Sequence, residues 1–394
     1  MKLIRDIGRL FTATERGVIE NAAVVVRDAH IDWVGPEGDL PARLGDAEEI
    51  DASGALVTPG LIDAHTHPVY AGNRLHELSL RSAGASYAEL GAAGGGIGST
   101  VAATRAATRQ ELTDAVHARM RSWLQSGTTT VEAKTGYHLD RDGEIEAVEI
   151  LDEVGRRDDT PRVMITFLPV HAMPPGLEVR PDDHVDASAS WCVAAAEEGA
   201  RFCDVFCDEG YFTVEQSRRF LEAGRTAGLI PRIHADELAR TGGSLLAAEL
   251  GAASADHLLE ADESDAHALA AAGVVATLAP TTALSMKKLP PVQALIDAGA
   301  TIALGTDHNP GTSGLTDMTV AIALAVNALQ LSVERALTAA TRGGAQSLRM
   351  PDAGRVQEGA RADLVQWDAE HEGVFAWTYG VSPLQVWLSG AEAL

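Results

Sequence analysis

His65-Thr66-His67 closes a mostly apolar run that begins at Thr58, and its spacing is the first chemical signal in the chain. In extended backbone, residues i and i+2 face the same side. Both imidazoles can then reach one metal ion, and neutral imidazole suits zinc, iron, nickel or copper better than magnesium or calcium. Alone, the pair is equally at home as two ordinary strand histidines. His234 and Asp307 each end a further apolar run. Singly, the first reads as a core histidine and the second as a turn former. Together with His65 and His67 they make three histidines and a carboxylate at the ends of three strands. Such nitrogen and oxygen ligands plus a water are the pattern of an open, hydrolytic metal site.

Other candidates follow the same placement. His257, in Ser254-Ala255-Asp256-His257-Leu258, fits a further ligand, a general base, or a group behind the ligands. Glu237, three residues past His234, can handle protons in the same pocket or simply open the next helix. Arg74 lies seven residues after His67, where a guanidinium can grip a substrate carboxylate with two bonds; a loop arginine is otherwise solvent-exposed. Tyr137 and His171 top two more strands, as pocket groups or as packed structural ones. The run Gly94-Gly95-Gly96-Ile97-Gly98-Ser99-Thr100 lacks the Lys-Ser/Thr of a phosphate loop and no clear strand precedes it. A mobile loop beside a barrel mouth fits it better.

These residues need a scaffold that brings strand ends together. Eight short apolar runs qualify as strands: 61–67, 128–134, 164–171, 203–208, 230–236, 253–258, 274–280 and 301–307. Near-continuous apolar strands are the mark of a buried parallel sheet, and helical stretches such as 111–125 and 142–156 alternate with them. Eight such units predict an α/β fold, a distorted TIM-like (β/α)8 barrel with its chemistry at the carboxyl ends of the strands. Ala22–Val26, Ile31–Pro36 and 359–368 read instead as strands of a small β-sandwich domain. We expect that domain to be composite, from 1–56 and 352–394, with the barrel over 57–351.

Bulk properties narrow the function. The chain has 394 residues, 46% of them hydrophobic, enough for a sizeable core. A net charge of −25 argues against nucleic acid, which is bound through basic contacts to phosphate. No apolar stretch of about 18 residues argues for a membrane span, and the N-terminus lacks the long apolar region of a signal peptide. Cys192, Cys203 and Cys207 cannot all pair with one another, which suits a reducing cytosol; we expect buried core thiols. A cytoplasmic location follows as the expectation.

With these residues in place, the chain resembles the metal-dependent amidohydrolase superfamily and, within it, the imidazolonepropionase family. The likeness spans nearly the whole sequence. It is carried by His65-Thr66-His67 through Gly72-Asn73-Arg74, Gly84-Ala85-Ser86-Tyr87, the glycine run, and Lys134-Thr135-Gly136-Tyr137. His171-Ala172-Met173-Pro174-Pro175, Ser254 to Leu258, and Thr306-Asp307-His308-Asn309-Pro310-Gly311-Thr312 complete it. The resemblance implies ring opening of 4-imidazolone-5-propanoate by water, giving N-formimino-L-glutamate, a step of histidine breakdown. It implies one divalent metal ion, zinc or iron, held by His65, His67, His234 and Asp307. Arg74, Tyr87, Tyr137, His171, Glu237, Asn309, Gly311 and Thr312 would surround the small anionic substrate. His257 would act in catalysis, with Glu237, Asp307 and His171, the last stabilising an oxyanion. A homodimer is implied as well.

The run 203–208 ends without a lysine, whereas binuclear relatives commonly carry one there; this favours a single metal. Thr281 to Lys288 replaces an aromatic-containing segment, and Arg342-Gly343-Gly344-Ala345 replaces a more usual Arg-Asn-Ala/Ser. The nearest alternatives are a hydrolase of a hydantoin-type propionate and a deaminase of the same superfamily. A non-catalytic scaffold would be expected to have lost ligands.

Overall fold

The computed structural model describes residues 1–42, 44–84, 95–176 and 178–388. The chain opens with β1 (Lys2–Phe11), β2 (Val18–Arg27), β3 (His30–Pro36), β4 (Glu48–Asp51) and β5 (Leu56–Pro59). It then passes through eight strands of a second sheet. These are β6 (Leu61–Asp63), β7 (Thr128–Lys134), β8 (Arg162–Val170), β9 (Phe202–Cys207), β10 (Ile230–Ala235), β11 (Ser254–His257), β12 (Val275–Leu278) and β13 (Ile302–Leu304). Two late strands, β14 (Leu364–Trp367) and β15 (Pro383–Trp387), return to the first sheet. That sheet runs β15-β14-β5-β1-β2-β3, with β4 also on β1, so both ends of the chain meet in it. Its inner face is apolar, with Ile4, Ile7, Leu10, Val24, Val57 and Leu364 packed together.

The second sheet has the order β6 to β13, with every neighbouring pair parallel. All eight runs expected from sequence form its strands. Every residue of β7, β9, β11 and β12 is buried, as a sheet covered on both faces requires. The helices that cover it start where their sequences allow. Thr108 caps the helix Arg109–Gln125 in a reciprocal box with Glu111, and Asp140 caps the helix Arg141–Gly155; each side chain satisfies an amide that the first turn leaves open.

The barrel seam departs from the expected strand 61–67. Regular β6 ends at Asp63, so His65 and His67 lie beyond it. Individual bonds to the end of β13 and to the segment after it keep them extended. Ala64 N donates to Leu304 O (3.1 Å), Asp307 N to His65 O (3.0 Å) and His67 N to His308 O (2.8 Å), around a Thr66–His308 bridge. Gly305 permits this approach: a Cβ there would lie 2.7 Å from His65 Cβ. Asp63 locks the seam from below. It accepts Thr306 N (2.9 Å), Thr306 Oγ1 (2.6 Å) and Trp123 Nε1 (2.9 Å).

The cysteines are free and buried, as expected. Among the described residues, no helix is long and apolar enough to cross a membrane. From Gly96 on, the expected loop is instead the helix Gly96–Ala106, with Gly95 at its N-cap and Gly96 at φ +66°; Gly94 and Tyr87 lie outside the described residues.

Asp63→Ala would leave the three buried donors at the seam, and His65 N at 3.4 Å, without their acceptor. Each such donor costs about 1–3 kcal/mol, so urea unfolding should show a loss of about 3 kcal/mol or more. A loss under about 1 kcal/mol would mean that the seam does not depend on this carboxylate.

Candidate active site

Four side chains from the ends of β6, β10 and β13 point to one spot. His65 Nε2 lies 3.2 Å from His67 Nε2, and His67 Nε2 lies 3.4 Å from His234 Nε2. Asp307 Oδ1 is 3.6 Å from His65 Nε2 and 3.4 Å from His67 Nε2. Four donors around an ion at ordinary zinc–nitrogen distances would be about 3.4 Å apart. These spacings match that edge, and the donor set suits zinc or iron. The three histidines thus form a group able to hold a metal ion, and Asp307 stands in a second such group with His65 and His257.

Each imidazole must present Nε2 as a lone pair, which requires its proton on Nδ1. Buried carboxylates arrange this for two of the three. Asp256 Oδ2 accepts from His65 Nδ1 at 2.7 Å, and Asp204 Oδ2 lies 3.0 Å from His234 Nδ1. A carboxylate behind a ligating histidine fixes its ring and raises its basicity. Asp307 is held in turn by Thr282, whose hydroxyl donates to Oδ2 at 2.5 Å.

Below this level lies a fully buried ionic cluster that was not expected from the sequence. Lys134 Nζ reaches Asp204 Oδ2 (2.8 Å), Glu132 Oε1 (2.9 Å) and Asp256 Oδ2 (3.5 Å). Arg232 Nη2 meets Asp256 Oδ2 (3.3 Å) and donates to Ala64 O (2.8 Å). Burial alone would raise Asp256, but Arg232 and Lys134 outweigh it and lower the group to about 2. The sequence did carry a cue. Glu132-x-Lys134, Arg232-x-His234 and Ser254-x-Asp256 are polar pairs two apart within apolar strands, which places each pair on one strand face.

The pocket above is a cleft lined by His67, His234, Asp307, His257, Glu237, Arg74, Tyr137, His171, Asn309 and Thr312. Of the residues singled out in sequence, it therefore gathers all that are described except His65, buried beneath it, and Gly311, which backs Arg74: a Cβ on Gly311 would lie 2.6 Å from Arg74 Nη1. Asn309 acts within its own loop, donating to Asp307 O (2.6 Å) and accepting from Gly311 N and Thr312 N (both 2.8 Å). His171 stacks on His67, centroids 5.0 Å apart, with its Nδ1 3.0 Å from Gly136 O. Only an N–H can pair with that carbonyl, so neutral His171 presents Nε2 as an acceptor. Its expected task of stabilising an oxyanion needs a donor and does not fit this tautomer. His257 and Asp307 adopt left-handed backbone, φ 75° and 49°, a sparsely populated conformation for such residues that is often found at active sites.

A model of the Amidohydrolase family matches residues 56–392. An imidazolonepropionase from Shouchella clausii is 42% identical over 377 residues, covering 94% of this chain and 84% of the relative. One from Geobacillus kaustophilus is 41% identical over 391 residues, covering 97% and 92%. Among solved structures, a triazine hydrolase from Arthobacter aurescens aligns with a TM-score of 0.76 at 21% identity, over 98% of this chain and 93% of that one. An adenosine deaminase from Xanthomonas campestris with bound zinc gives 0.73 at 20%, over 99% and 92%. These last two likenesses concern the fold alone.

Electrostatics favour the neutral imidazoles that a metal requires. Burial lowers His234 to about 4, against the pull of Asp204. Burial, then the charge of Lys134, pushes His65 well below its usual value. Protons therefore compete weakly for both imidazoles at neutral pH, and for His234 until the pH approaches 4. Zinc affinity of chelator-stripped protein, measured by competition titration, should fall by about tenfold or less between pH 7.5 and 5.5. Three ordinary imidazoles would lose about a thousandfold over that range, and such a loss would overturn this account.

Proposed function

The chain belongs to the amidohydrolase family, and from that membership we propose that it opens the ring of 4-imidazolone-5-propanoate with water, yielding N-formimino-L-glutamate. The curated imidazolonepropionases at about 40% identity over most of the chain support this reaction. One geometric observation carries it to the residues: Arg74 lines the same pocket as the histidine and aspartate cluster. A carboxylate anchor and a hydrolytic centre in one cleft suit a cyclic amide bearing an acid. We assign a single zinc or iron ion to His65, His67, His234 and Asp307. Lys134 supports one ion rather than two, because its ammonium is engaged by Glu132 and Asp204 and lies on β7, while β9 carries no lysine.

An ion bound there supplies Lewis acidity to water and to a carbonyl oxygen. The chain's own groups manage the rest. Arg74 and Tyr137 grip the propionate and so hold the substrate in the cleft, in ground state and transition state alike. His171 accepts a ring N–H through Nε2. Asp307 and His257 receive the proton that the attacking water loses. His257 Nε2 lies 3.8 Å from Glu237 Oε2, and although burial disfavours its charge, Glu237, Asp307 and Asp256 raise its affinity for a proton. Burial pushes Glu237 up to about 7, against the pull of His257. A carboxyl group poised there exchanges a proton readily at neutral pH, and Glu237 delivers it to the leaving ring nitrogen.

The direct test is turnover of imidazolone propionate, generated from urocanate by a coupled enzyme. Loss of imidazolone absorbance without ammonia release, by protein holding about one metal equivalent, is the expected result. Ammonia release would indicate a deaminase, and two tightly bound ions would overturn the single-metal assignment.

Glu237 makes a second prediction. The donating form is protonated below about 7, so kcat should fall as pH rises through that value. Glu237→Gln has no proton to give; it should lower kcat by roughly 10²–10⁴-fold and abolish that limb of the profile. A variant that keeps the limb would remove Glu237 from this role.

A further inference from the structure

Arg74 does not orient itself. Its long side chain loses much rotamer freedom when it is fixed, and two-bonded recognition of a carboxylate tolerates little misalignment. Arg74 O accepts from Glu77 N at 3.0 Å, closing a turn that brings the two side chains together. Both Glu77 oxygens then accept from Arg74 Nε, at 3.1 and 3.0 Å. Glu77 is 1% exposed and Arg74 4%. Oε1 of the same carboxylate also accepts Gly96 N at 2.7 Å, at the start of the helix that carries the pocket residue Ile97. From the other side the guanidinium rests over Gly311, where a Cβ would approach Nη1 to 2.6 Å and Nη2 to 2.9 Å.

We propose that Glu77 is a positioning residue for Arg74: it aims the guanidinium's Nη nitrogens at the substrate carboxylate and ties that anchor to the pocket wall at Gly96. The inference rests on Arg74 being the carboxylate anchor. Glu77 touches no reacting atom, so its effect belongs to binding of the acid and not to the chemical step. Its negative charge offsets that of Arg74 inside the protein, which lets a buried guanidinium persist when no substrate is present.

Glu77→Gln keeps an acceptor for Gly96 N but loses the charge and one of the two oxygens on Nε. KM for imidazolone propanoate should rise about tenfold with kcat within about twofold, the pattern of lost uniform binding. For the analogue whose carboxylate is a primary amide, kcat/KM should change by less than about twofold. Arg74→Ala/Glu77→Gln should be no worse than Arg74→Ala alone, because residues acting through one contact are not additive. Equal losses on acid and amide would assign Glu77 a merely structural role and overturn the inference. So would an unchanged KM in Glu77→Gln beside a raised KM in Arg74→Ala. An unchanged KM in Arg74→Ala would instead overturn the anchoring role, and the inference with it. Should Glu77→Gln fail to fold, Glu77→Asp, one methylene too short to reach both Nε and Gly96 N, carries the same expectations.

Discussion

The site depends on a cluster of charges sealed inside the barrel. Lys134 and Arg232 are fully buried, and so are Glu132, Asp204 and Asp256. An isolated charge there would be strongly unfavourable, and removing one member of such a cluster costs about 3–5 kcal/mol because the remainder is stranded. The five groups therefore have to occur together. Three carboxylates against two cations leave one negative charge in excess, directly beneath the proposed metal ligands. Asp204 and Asp256 link the two layers: each contacts Lys134 on one side and a histidine Nδ1 on the other. The tautomers of His65 and His234 are thus set by the barrel core, before any ion binds.

The upper layer is ordered by carboxylates of another kind. Glu144 accepts Gly136 N, His138 N and Leu139 N at 2.8, 2.8 and 2.9 Å, shaping the turn that carries Tyr137. Asp208 accepts Glu237 N and Leu238 N at 2.8 and 2.9 Å, and Ala239 N at 3.0 Å, fixing the turn that carries Glu237. Loops at the carboxyl ends of barrel strands leave backbone amides that must find acceptors when buried. Here a side chain from a neighbouring element supplies each acceptor, and the pocket inherits rigid walls from loop segments. His257 shows the complementary device. Strict strand alternation would send Asp256 and His257 to opposite faces. The left-handed backbone at His257 breaks that alternation, so one residue reaches His65 while the next lines the pocket.

Much of this was legible in the sequence because it follows periodicity. Apolar runs separated by amphipathic stretches gave the eight barrel strands, and the polar residues at their ends marked the site. His65, His67, His234 and Asp307 were recognisable because strand ends of one barrel must face one another. That Glu132, Lys134, Asp204, Arg232 and Asp256 form one ionic cluster was not legible, although each interrupts an apolar strand. A charged residue in such a run has meaning only with its partners, and these lie on four different strands. Glu77 was invisible for a similar reason: three residues past Arg74, it looks like any acidic residue opening a helix. The role of His171 changed because a tautomer is set by a hydrogen bond to Gly136 O, which a sequence does not contain.

By itself, then, the sequence determined the barrel, the histidine and carboxylate types proposed to hold a metal, and the presence of the arginine proposed to anchor an acid. These rest on local chemistry and on alternation, both written in one dimension. Tertiary structure decided which nitrogen of each histidine faces the proposed metal position, which oxygen of Asp307 remains toward it, and what holds Arg74 in place. It also decided that His65 and His67 stay extended past the last regular residue of β6, through bonds to a segment some 240 positions away. Those choices belong to pairs distant in the chain, and a donor finds its acceptor only after the barrel has closed.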